Sequence, residues 1–277
     1  MQRYGIMADE PRPKAAAEAL LTAAEQLGIR TLDTAPAYGE AESVIGLFPT
    51  PFGIHTKLPR DQDPATALAT SLDRLCRNSV EVIHLHDPGM ILNPNDPRID
   101  AAAALVGHGA DDLGASVYTP EQFAAALVDL RITVVQCPIN LFDRRISDDE
   151  LQHAERGGTR VIARSALLQG VLANPASAIG RVPALDTALI GFANLCRVLE
   201  RSPIEVAMLW VMARPAVSDL VVGAETPSQL EALVAAAESP SLAADELGLL
   251  ASLTQPSKVA ADPRTWTASP EPEEGQE

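Results

Sequence analysis

The chain has 277 residues, of which 47% are apolar but only 4% aromatic, so its core must be aliphatic, as in buried parallel strands and the helices that cover them. Its 21 basic and 37 acidic residues give a formal charge of −16, which opposes binding to nucleic acid or anionic lipid. Its three cysteines, Cys76, Cys137 and Cys196, are widely spaced and indicate reduced, buried thiols. Because no apolar stretch is long enough for a signal peptide or a membrane span, we expect a soluble, cytoplasmic protein.

Predicted strands and helices alternate along the chain. Short apolar runs predict seven strands, at residues 31–33, 52–56, 80–84, 113–115, 134–137, 160–163 and 220–222. Between them, apolar residues at helical spacing follow a capping residue and a proline, as at Thr119-Pro120, Ser202-Pro203 and Thr226-Pro227. These positions predict where the helices begin.

Repeated strand–helix units predict a parallel sheet covered by helices, either an open doubly wound sheet or a closed (β/α)8 TIM barrel. No GxGxxG sequence follows the first strand, which disfavours the open dinucleotide-binding sheet. We predict a single (β/α)8 barrel domain over residues 1–258 and a disordered, acidic and proline-rich tail over residues 259–277. A barrel carries its chemistry at the C-terminal ends of its strands.

Polar side chains at three consecutive strand ends predict proton chemistry. They are Asp33 with Tyr38 just beyond it, Lys57, and His86. A phenol titrates near 10, so Tyr38 can donate a proton near neutral pH only if a neighbouring ammonium stabilises the phenolate. Lys57 is placed to do this with Asp33 as its counter-ion, and His86 can orient a substrate oxygen. Such a set suits a carbonyl oxygen that gains negative charge as hydride reaches its carbon.

Longer stretches carry a family resemblance. GIRTLDTAPAYGEAESVIG (28–46), HTKLP (55–59), VEVIHLHDP (80–88) and VVQCPINLFDRR (134–145) resemble the aldo-keto reductase family in order and spacing, and RSALLQG (164–170) is similar to short-loop bacterial members with an RSxxLQG pattern. The resemblance implies a (β/α)8 barrel that reduces a small aldehyde or ketone with NADP(H) or NAD(H). It also implies a catalytic tetrad of Asp33, Tyr38, Lys57 and His86, with Tyr38 as the general acid.

The resemblance further implies cofactor contacts from several segments. They are Ser116 and Gln136 at the nicotinamide carboxamide, Arg164 beside the nicotinamide ring, Ser165, Leu168 and Gly170 beside the pyrophosphate, and Gly223, Thr226 and Gln229 at the adenosine phosphate. Some positions depart from the family. Val117 replaces an Asn, Arg164 a stacking Tyr, Glu225 a basic residue and Leu233 an Asn. Because a carboxylate repels a 2′-phosphate, Glu225 favours NADH or weakens the binding of both cofactors.

The N-terminus is a further departure. Only 32 residues precede Asp33, and only residues 3–7 could serve as the first barrel strand, so we expect that strand to be short or missing. A missing strand exposes sheet edges, and the protein is expected to be a monomer or an edge-covering homodimer. The rival hypothesis is a catalytically weakened or silent family member that acts as a binding or regulatory subunit.

Two further groups of residues lie outside the tetrad. His55 and His84 share strand parity with Lys57 and His86, which predicts hydrogen-bonded histidines inside the barrel, one layer deeper. Asp143, Arg144 and Arg145 are expected to form a salt-bridged loop at the rim. His, Cys and carboxylate residues do not cluster at metal-ligand spacing in the sequence, so no metal site is predicted.

Overall fold

The computed structural model describes residues 14–48 and 52–266. Within these ranges the chain forms one parallel sheet of seven strands whose spatial order follows the chain order. The strands are β1 (Thr31–Asp33), β2 (Gly53–Leu58), β3 (Val80–Leu85), β4 (Ala110–Ser116), β5 (Val134–Pro138), β6 (Arg160–Arg164) and β7 (Val217–Leu220). Consecutive parallel pairing with helices in the connections is the construction of a (β/α)8 barrel, and the predicted fold class is confirmed.

Eleven helices are present in the described residues. They are α1 (Lys14–Gln26), α2 (Ala41–Gly46), α3 (Pro64–Leu75), α4 (Pro97–Ala103), α5 (Pro120–Val128), α6 (Asp148–Arg156), α7 (Pro175–Ala178), α8 (Asp186–Val198), α9 (Pro203–Met212), α10 (Pro227–Glu238) and α11 (Ala244–Ala251). The three predicted N-caps are confirmed, because the hydroxyls of Thr119, Ser202 and Thr226 each accept a hydrogen bond from the backbone three residues later. Within the described part of the chain, no helix is long and apolar enough to cross a membrane.

The two outer strands leave the described sheet open between β7 and β1. Residues 3–7, the candidate for the first barrel strand, lie outside the described residues. The last strand differs from its prediction at 220–222, because β7 begins at Val217. Its polar residue Asp219 pairs with Ile162, while Ser218 lies at an irregularity of the pairing, where its hydroxyl donates to the Val161 carbonyl at 2.9 Å. β7 is an edge strand with exposed polar residues, so a search for apolar runs does not find where it begins.

The main apolar core lies between the sheet and its helices and includes the buried rings of Phe123 and Phe192. The barrel interior holds a small separate cluster of Val82, Val134 and Ile162. Otherwise the interior is polar, and its buried side chains include His55, Lys57, His84, Ser116 and Gln136. The inner strands β2 to β6 are therefore mostly buried on both faces, with apolar contacts to the helices outside and polar groups inside.

The cysteines divide into two environments. Cys137 and Cys196 are buried as expected, and burial raises the pKa of both thiols to about 12, so neither is a nucleophile at neutral pH. Cys76 is exposed, contrary to the prediction. It is the C-cap of α3 with a left-handed φ of 51°, and its position at the end of the helix carries it out of the apolar face.

The C-terminal segment, residues 260–266, packs against the C-terminal ends of the strands. Amino-acid composition alone predicts instead that these residues belong to a disordered tail. Ala260 and Ala261 are buried, and the indole N–H of Trp266 donates to the Ala260 carbonyl at 2.9 Å. Asp262 binds the guanidinium of Arg264 and lies 3.4 Å from that of Arg145. Arg145 lies in a loop that is distant in sequence from this segment. Amino-acid composition cannot predict such a long-range contact. Residues 267–277 lie outside the described part of the chain.

Candidate active site

A buried ion pair joins the ends of β1 and β2. The Lys57 ammonium donates to Asp33 Oδ2 at 2.6 Å and to the Thr34 carbonyl at 2.8 Å. The register places Asp33 beside His55, two residues before Lys57, so the parallel pairing itself brings the two charges together. Burial lowers the pKa of Lys57, while the charge of Asp33 and its hydrogen bond act in the opposite direction. Two acceptors therefore fix the direction of the ammonium.

Tyr38 lies on a short 3-10 helix after β1, with its ring centroid 5.0 Å from Lys57 Nζ. Partial burial, and then the charge of Asp33, raise the pKa of Tyr38 to about 12, against an opposing effect of Arg164. The sequence predicts a lowered pKa for Tyr38, whereas the net shift is upward. The phenol is fully protonated at neutral pH, the state that a proton donor requires.

His86 follows β3 and faces the same space. Burial, and then the neighbouring charge of Lys57, lower the pKa of His86 below its ordinary value of 6.5. At neutral pH the imidazole is uncharged, so one ring nitrogen can donate and the other can accept a hydrogen bond.

These side chains line a catalytic cavity of about 190 Å³ at the C-terminal ends of the strands. Its lining combines predicted residues with residues from distant loops, namely Tyr38, Lys57, His86, Ser116, Gln136, Arg164, Ser165 and Leu168 with Tyr118, Asn140, Asp143, Arg145 and the C-terminal segment. Asp33 stands behind Lys57, where the amide nitrogen of Gln136 also donates to its Oδ1 at 2.8 Å. The tetrad and the residues predicted at the nicotinamide therefore share one site.

A second, larger cavity of about 500 Å³ lies between the segment after β6 and the start of α10. Predicted residues in its lining are Ser165, Leu168, Gly170, Gly223 and Gln229, and the departures Glu225 and Leu233 line it as well. Thr226 does not line it; its hydroxyl caps α10 by accepting from the Gln229 amide at 3.2 Å. The two cavities share Ser165, Leu168 and Gln169, so together they form one elongated site of the kind that a dinucleotide needs.

The segment after β6 has an unusual backbone. Ser165, Leu168 and Gln169 adopt left-handed φ angles of 62°, 47° and 54°, a region that non-glycine residues occupy only at an energetic cost. Backbone strain of this kind concentrates at ligand-binding segments. Together with the elongated cavity, it indicates that the residues present fit a nicotinamide dinucleotide.

The fold also assembles a cluster that sequence spacing did not reveal. Potential ligand atoms of Asp33, His55 and His84 lie within 4.8 Å of one another, although these residues are far apart in the chain. Lys57 and Arg160 border the cluster, and Arg160 Nη2 is 3.4 Å from His55 Nε2. Two adjacent cations disfavour a divalent metal, and we assign no metal role to it.

His84 is buried as predicted, but neither of its ring nitrogens has a hydrogen-bond partner among the described residues. Complete burial, and then the charge of Lys57, hold the pKa of His84 well below its ordinary value. Gly114 provides the space for the ring, since a Cβ there would lie 2.5 Å from His84 Nδ1.

Several site residues are absent from the sequence predictions. Tyr118 and Asn140 follow the ends of β4 and β5 by two residues, so reading further beyond each strand end would have found them. Arg264 had no sequence signal, because it lies in the presumed tail. Arg145 was assigned to a salt-bridged rim loop, and its pairing with Asp143 at 2.7 Å agrees with that prediction.

Comparison with known proteins agrees with this architecture. The model of the Aldo/keto reductase family matches residues 2–255. A 6-dehydroglucose reductase of Novosphingobium aromaticivorans is 29% identical over 81% of this chain and 81% of that protein. The holo form of an aldo-keto reductase of Bacillus halodurans superposes with a TM-score of 0.75 at 23% identity, covering 88% of each chain. A glycerol dehydrogenase of Gluconobacter oxydans gives a TM-score of 0.71 at 24% identity, over 87% of this chain and 86% of the other.

The family match spans nearly the whole described chain, and the solved relatives share its fold. The chain belongs to the aldo/keto reductase family of NAD(P)H-dependent oxidoreductases.

Proposed function

We propose that this enzyme reduces an aldehyde or ketone to the alcohol, with Tyr38 as the general acid. The observation that carries the proposal is one cavity lined by a protonated phenol, a fixed ammonium and a neutral imidazole. Reduced nicotinamide, when bound, is the source of the hydride that reaches the carbonyl carbon.

Each member of the tetrad has a separate role in the proton transfer. As the carbonyl oxygen gains negative charge, the O–H bond of Tyr38 breaks and the oxygen takes the proton. The Lys57 ammonium, held by Asp33, stabilises the phenolate that remains until solvent returns a proton. His86 donates a ring N–H to the same oxygen and orients it. This complete contact set favours an enzyme over the binding-subunit hypothesis.

For the cofactor we propose contacts along the elongated site. Ser116 and Gln136 would hold the nicotinamide end, whereas Arg164, which lines the same cavity, would face the substrate. Ser165, Leu168 and Gly170 would lie beside the pyrophosphate. Gly223 and Gln229 would contact the adenosine end, and Thr226 would act indirectly by capping the helix that carries Gln229. The lining of the two cavities supports this division. Ser116 and Gln136 line the catalytic cavity, whereas Gly223 and Gln229 line the larger one.

We further propose a preference for NADH. Among the described residues that line the larger cavity, Glu225 is the only charged one, and neither lysine nor arginine is present. A carboxylate can accept hydrogen bonds from ribose hydroxyls, whereas it repels a 2′-phosphate. This lining therefore favours the unphosphorylated ribose of NADH over the 2′-phosphate of NADPH.

The test is a parallel titration of the purified protein with NADH and NADPH, followed by tryptophan fluorescence and thermal shift, with aldehyde turnover measured in the same preparations. We expect tighter binding of NADH and turnover that depends on it. Tighter binding of NADPH would overturn the cofactor preference while leaving the reductase intact. Failure of a folded sample to bind either cofactor would overturn the reductase proposal.

We propose that the enzyme is located in the cytoplasm and that it is a monomer or a homodimer. The compartment is supported by three cysteines that are all unpaired. A homodimer is compatible with the open edges of β1 and β7, and sedimentation equilibrium distinguishes the two assemblies.

A further inference from the structure

Arg164 brings an uncompensated positive charge into the catalytic cavity. The other three cations at this cavity each have a carboxylate partner: Lys57 with Asp33 at 2.6 Å, Arg145 with Asp143 at 2.7 Å, and Arg264 with Asp262. Among the described residues, no carboxylate oxygen lies within 4.0 Å of the Arg164 guanidinium. The chain has a formal charge of −16, so acidic residues are abundant. A half-buried cation without a carboxylate partner is therefore unusual in this protein.

The Arg164 side chain is held in place by uncharged groups. Its guanidinium carbon lies 4.2 Å from the centroid of the Tyr118 ring, a cation–π contact. One nitrogen donates to the Val117 carbonyl at 3.2 Å and another lies 3.4 Å from the Ser165 hydroxyl. A guanidinium has five N–H donors, so these contacts leave donors for a ligand.

Asn140 supplies a second donor at the same cavity. Its side chain is fully buried, and its Oδ1 accepts hydrogen bonds from the backbone N–H groups of Phe142 and Asp143, each at 2.9 Å. These two donors fix the orientation of the amide. Its Nδ2 therefore faces away from them and has no hydrogen-bond partner in the described part of the chain. A buried N–H group without a partner is unfavourable and uncommon.

The two donors are neighbours in the fold. Pro138 in β5 pairs with Arg164 in β6, and the Ile139 backbone N–H donates to the Arg164 carbonyl at 3.1 Å. Both residues line the cavity that also contains Tyr38. Both side chains therefore border the space that an acceptor group would occupy while the reacting carbonyl lies near the phenol.

We infer that the substrate is a carbonyl compound that also bears a carboxylate, and that Arg164 and Asn140 bind that carboxylate. The inference rests on the proposed reductase function and names its substrate class. A planar carboxylate matches the planar donor array of a guanidinium. The amide of Asn140 satisfies a remaining oxygen lone pair, and binding would supply both missing partners at once.

The experiment compares two probes that differ in one group, 4-carboxybenzaldehyde and 4-carbamoylbenzaldehyde, in wild type, Arg164→Gln and Arg164→Lys. Arg197→Gln, on the exposed side of α8, is the matched control. A second measurement needs no turnover. The corresponding alcohols are titrated calorimetrically into the cofactor-free and NAD+-loaded protein, and the NADH dissociation constant is measured for every variant.

We expect wild type to favour the carboxylate probe. Arg164→Gln should lower kcat/KM for it by about 10- to 100-fold more than it lowers kcat/KM for the amide probe. Arg164→Lys should recover part of the loss because it keeps the charge, and Arg197→Gln should behave as wild type. The NADH dissociation constant should remain within about twofold in all variants.

Two results would overturn the inference. One is an equal loss for both probes together with weaker NADH binding, which would make Arg164 a cofactor contact. The other is calorimetry that shows no preference of the wild-type protein for the carboxylate alcohol. If neither probe is turned over but the carboxylate alcohol binds and Arg164→Gln abolishes that binding, the anion site stands and the reductase proposal fails.

Discussion

The two halves of the site are built differently. In the proton-transfer half, carried by β1 to β3, the charged groups bind one another: Lys57 holds Asp33 at 2.6 Å, and Asp33 also accepts from Gln136. In the cofactor half, after β6 and β7, an open cavity of about 500 Å³ has a strained wall, and Glu225 is the single charged side chain among the described residues that line it.

This difference indicates which half is prearranged. Parallel pairing alone brings the strand-end charges of the proton-transfer half together, so its geometry exists before any ligand binds. The cofactor half consists of loop backbone and a helix start, whose contacts are completed by a ligand. Substitutions in the first half should therefore affect catalysis or stability, and those in the second should affect ligand choice.

The largest effect is expected for Tyr38→Phe, which removes the proton donor and keeps the ring beside Lys57. Turnover should fall by about 10²- to 10⁴-fold, equivalent to about 3 to 5 kcal/mol in activation free energy. The NADH dissociation constant should stay within about twofold, because the phenol belongs to the other half. Turnover within threefold of wild type in steady-state assays would contradict the role of Tyr38.

Lys57→Met is expected to reduce stability as well as activity. It leaves the Asp33 carboxylate without its cation in a mostly buried position, so the free energy of unfolding should fall by about 3 kcal/mol. Urea unfolding measures this change. The double variant Lys57→Met, Asp33→Asn should regain most of the stability but not the activity. If the single variant is as stable as wild type, the ion pair does not hold this half together.

In the cofactor half, Glu225→Arg should reverse the preference between cofactors. Replacing repulsion of a 2′-phosphate by attraction should shift the ratio of the NADPH and NADH dissociation constants by about tenfold or more, about 1.4 kcal/mol. Fluorescence titration gives both constants. Glu231→Arg, an exposed change on the same helix α10, controls for net charge, and an equal shift in that variant would remove Glu225 from the binding site.

The smallest effect concerns His84, beneath the proton-transfer half. Its folded-state pKa lies below its unfolded value near 6.5, so the unfolded chain binds the extra proton first as the pH falls. The contribution of His84 to the free energy of unfolding is therefore fully present above pH 6.5. Below that pH the contribution decreases, by at most about 1.4 kcal/mol per pH unit for one proton.

The variant His84→Leu should weaken this pH dependence in urea unfolding between pH 7.5 and 5.5. His55 and His86, whose pKa values are also lowered, should retain part of it. His153→Leu, on the exposed side of α6, should leave the slope unchanged. An unaltered slope in His84→Leu would mean that His84 does not carry this linkage.

Much of the fold and of the tetrad was predictable because both depend on local pattern. Strand-end positions in β1 and β2 are read directly from apolar runs, and parallel pairing of consecutive strands then places Asp33 beside Lys57. Helix starts such as Thr119 were predictable because a cap involves only residues within one turn. The prediction for β7 was displaced because an edge strand lacks the apolar signature of a buried one.

The sequence by itself determined the alternating architecture, the family resemblance and the order of the polar strand ends, since each depends on residues close together in the chain. Only the tertiary structure decided that the Tyr38 pKa is raised and that His84 has no hydrogen-bond partner among the residues described. It also decided that the C-terminal segment lines the cavity and that, within the described ranges, Arg164 alone among the cavity's cations lacks a carboxylate partner. Burial and charge pairing join atoms from distant segments, and their energies depend on distance in space rather than on separation along the chain.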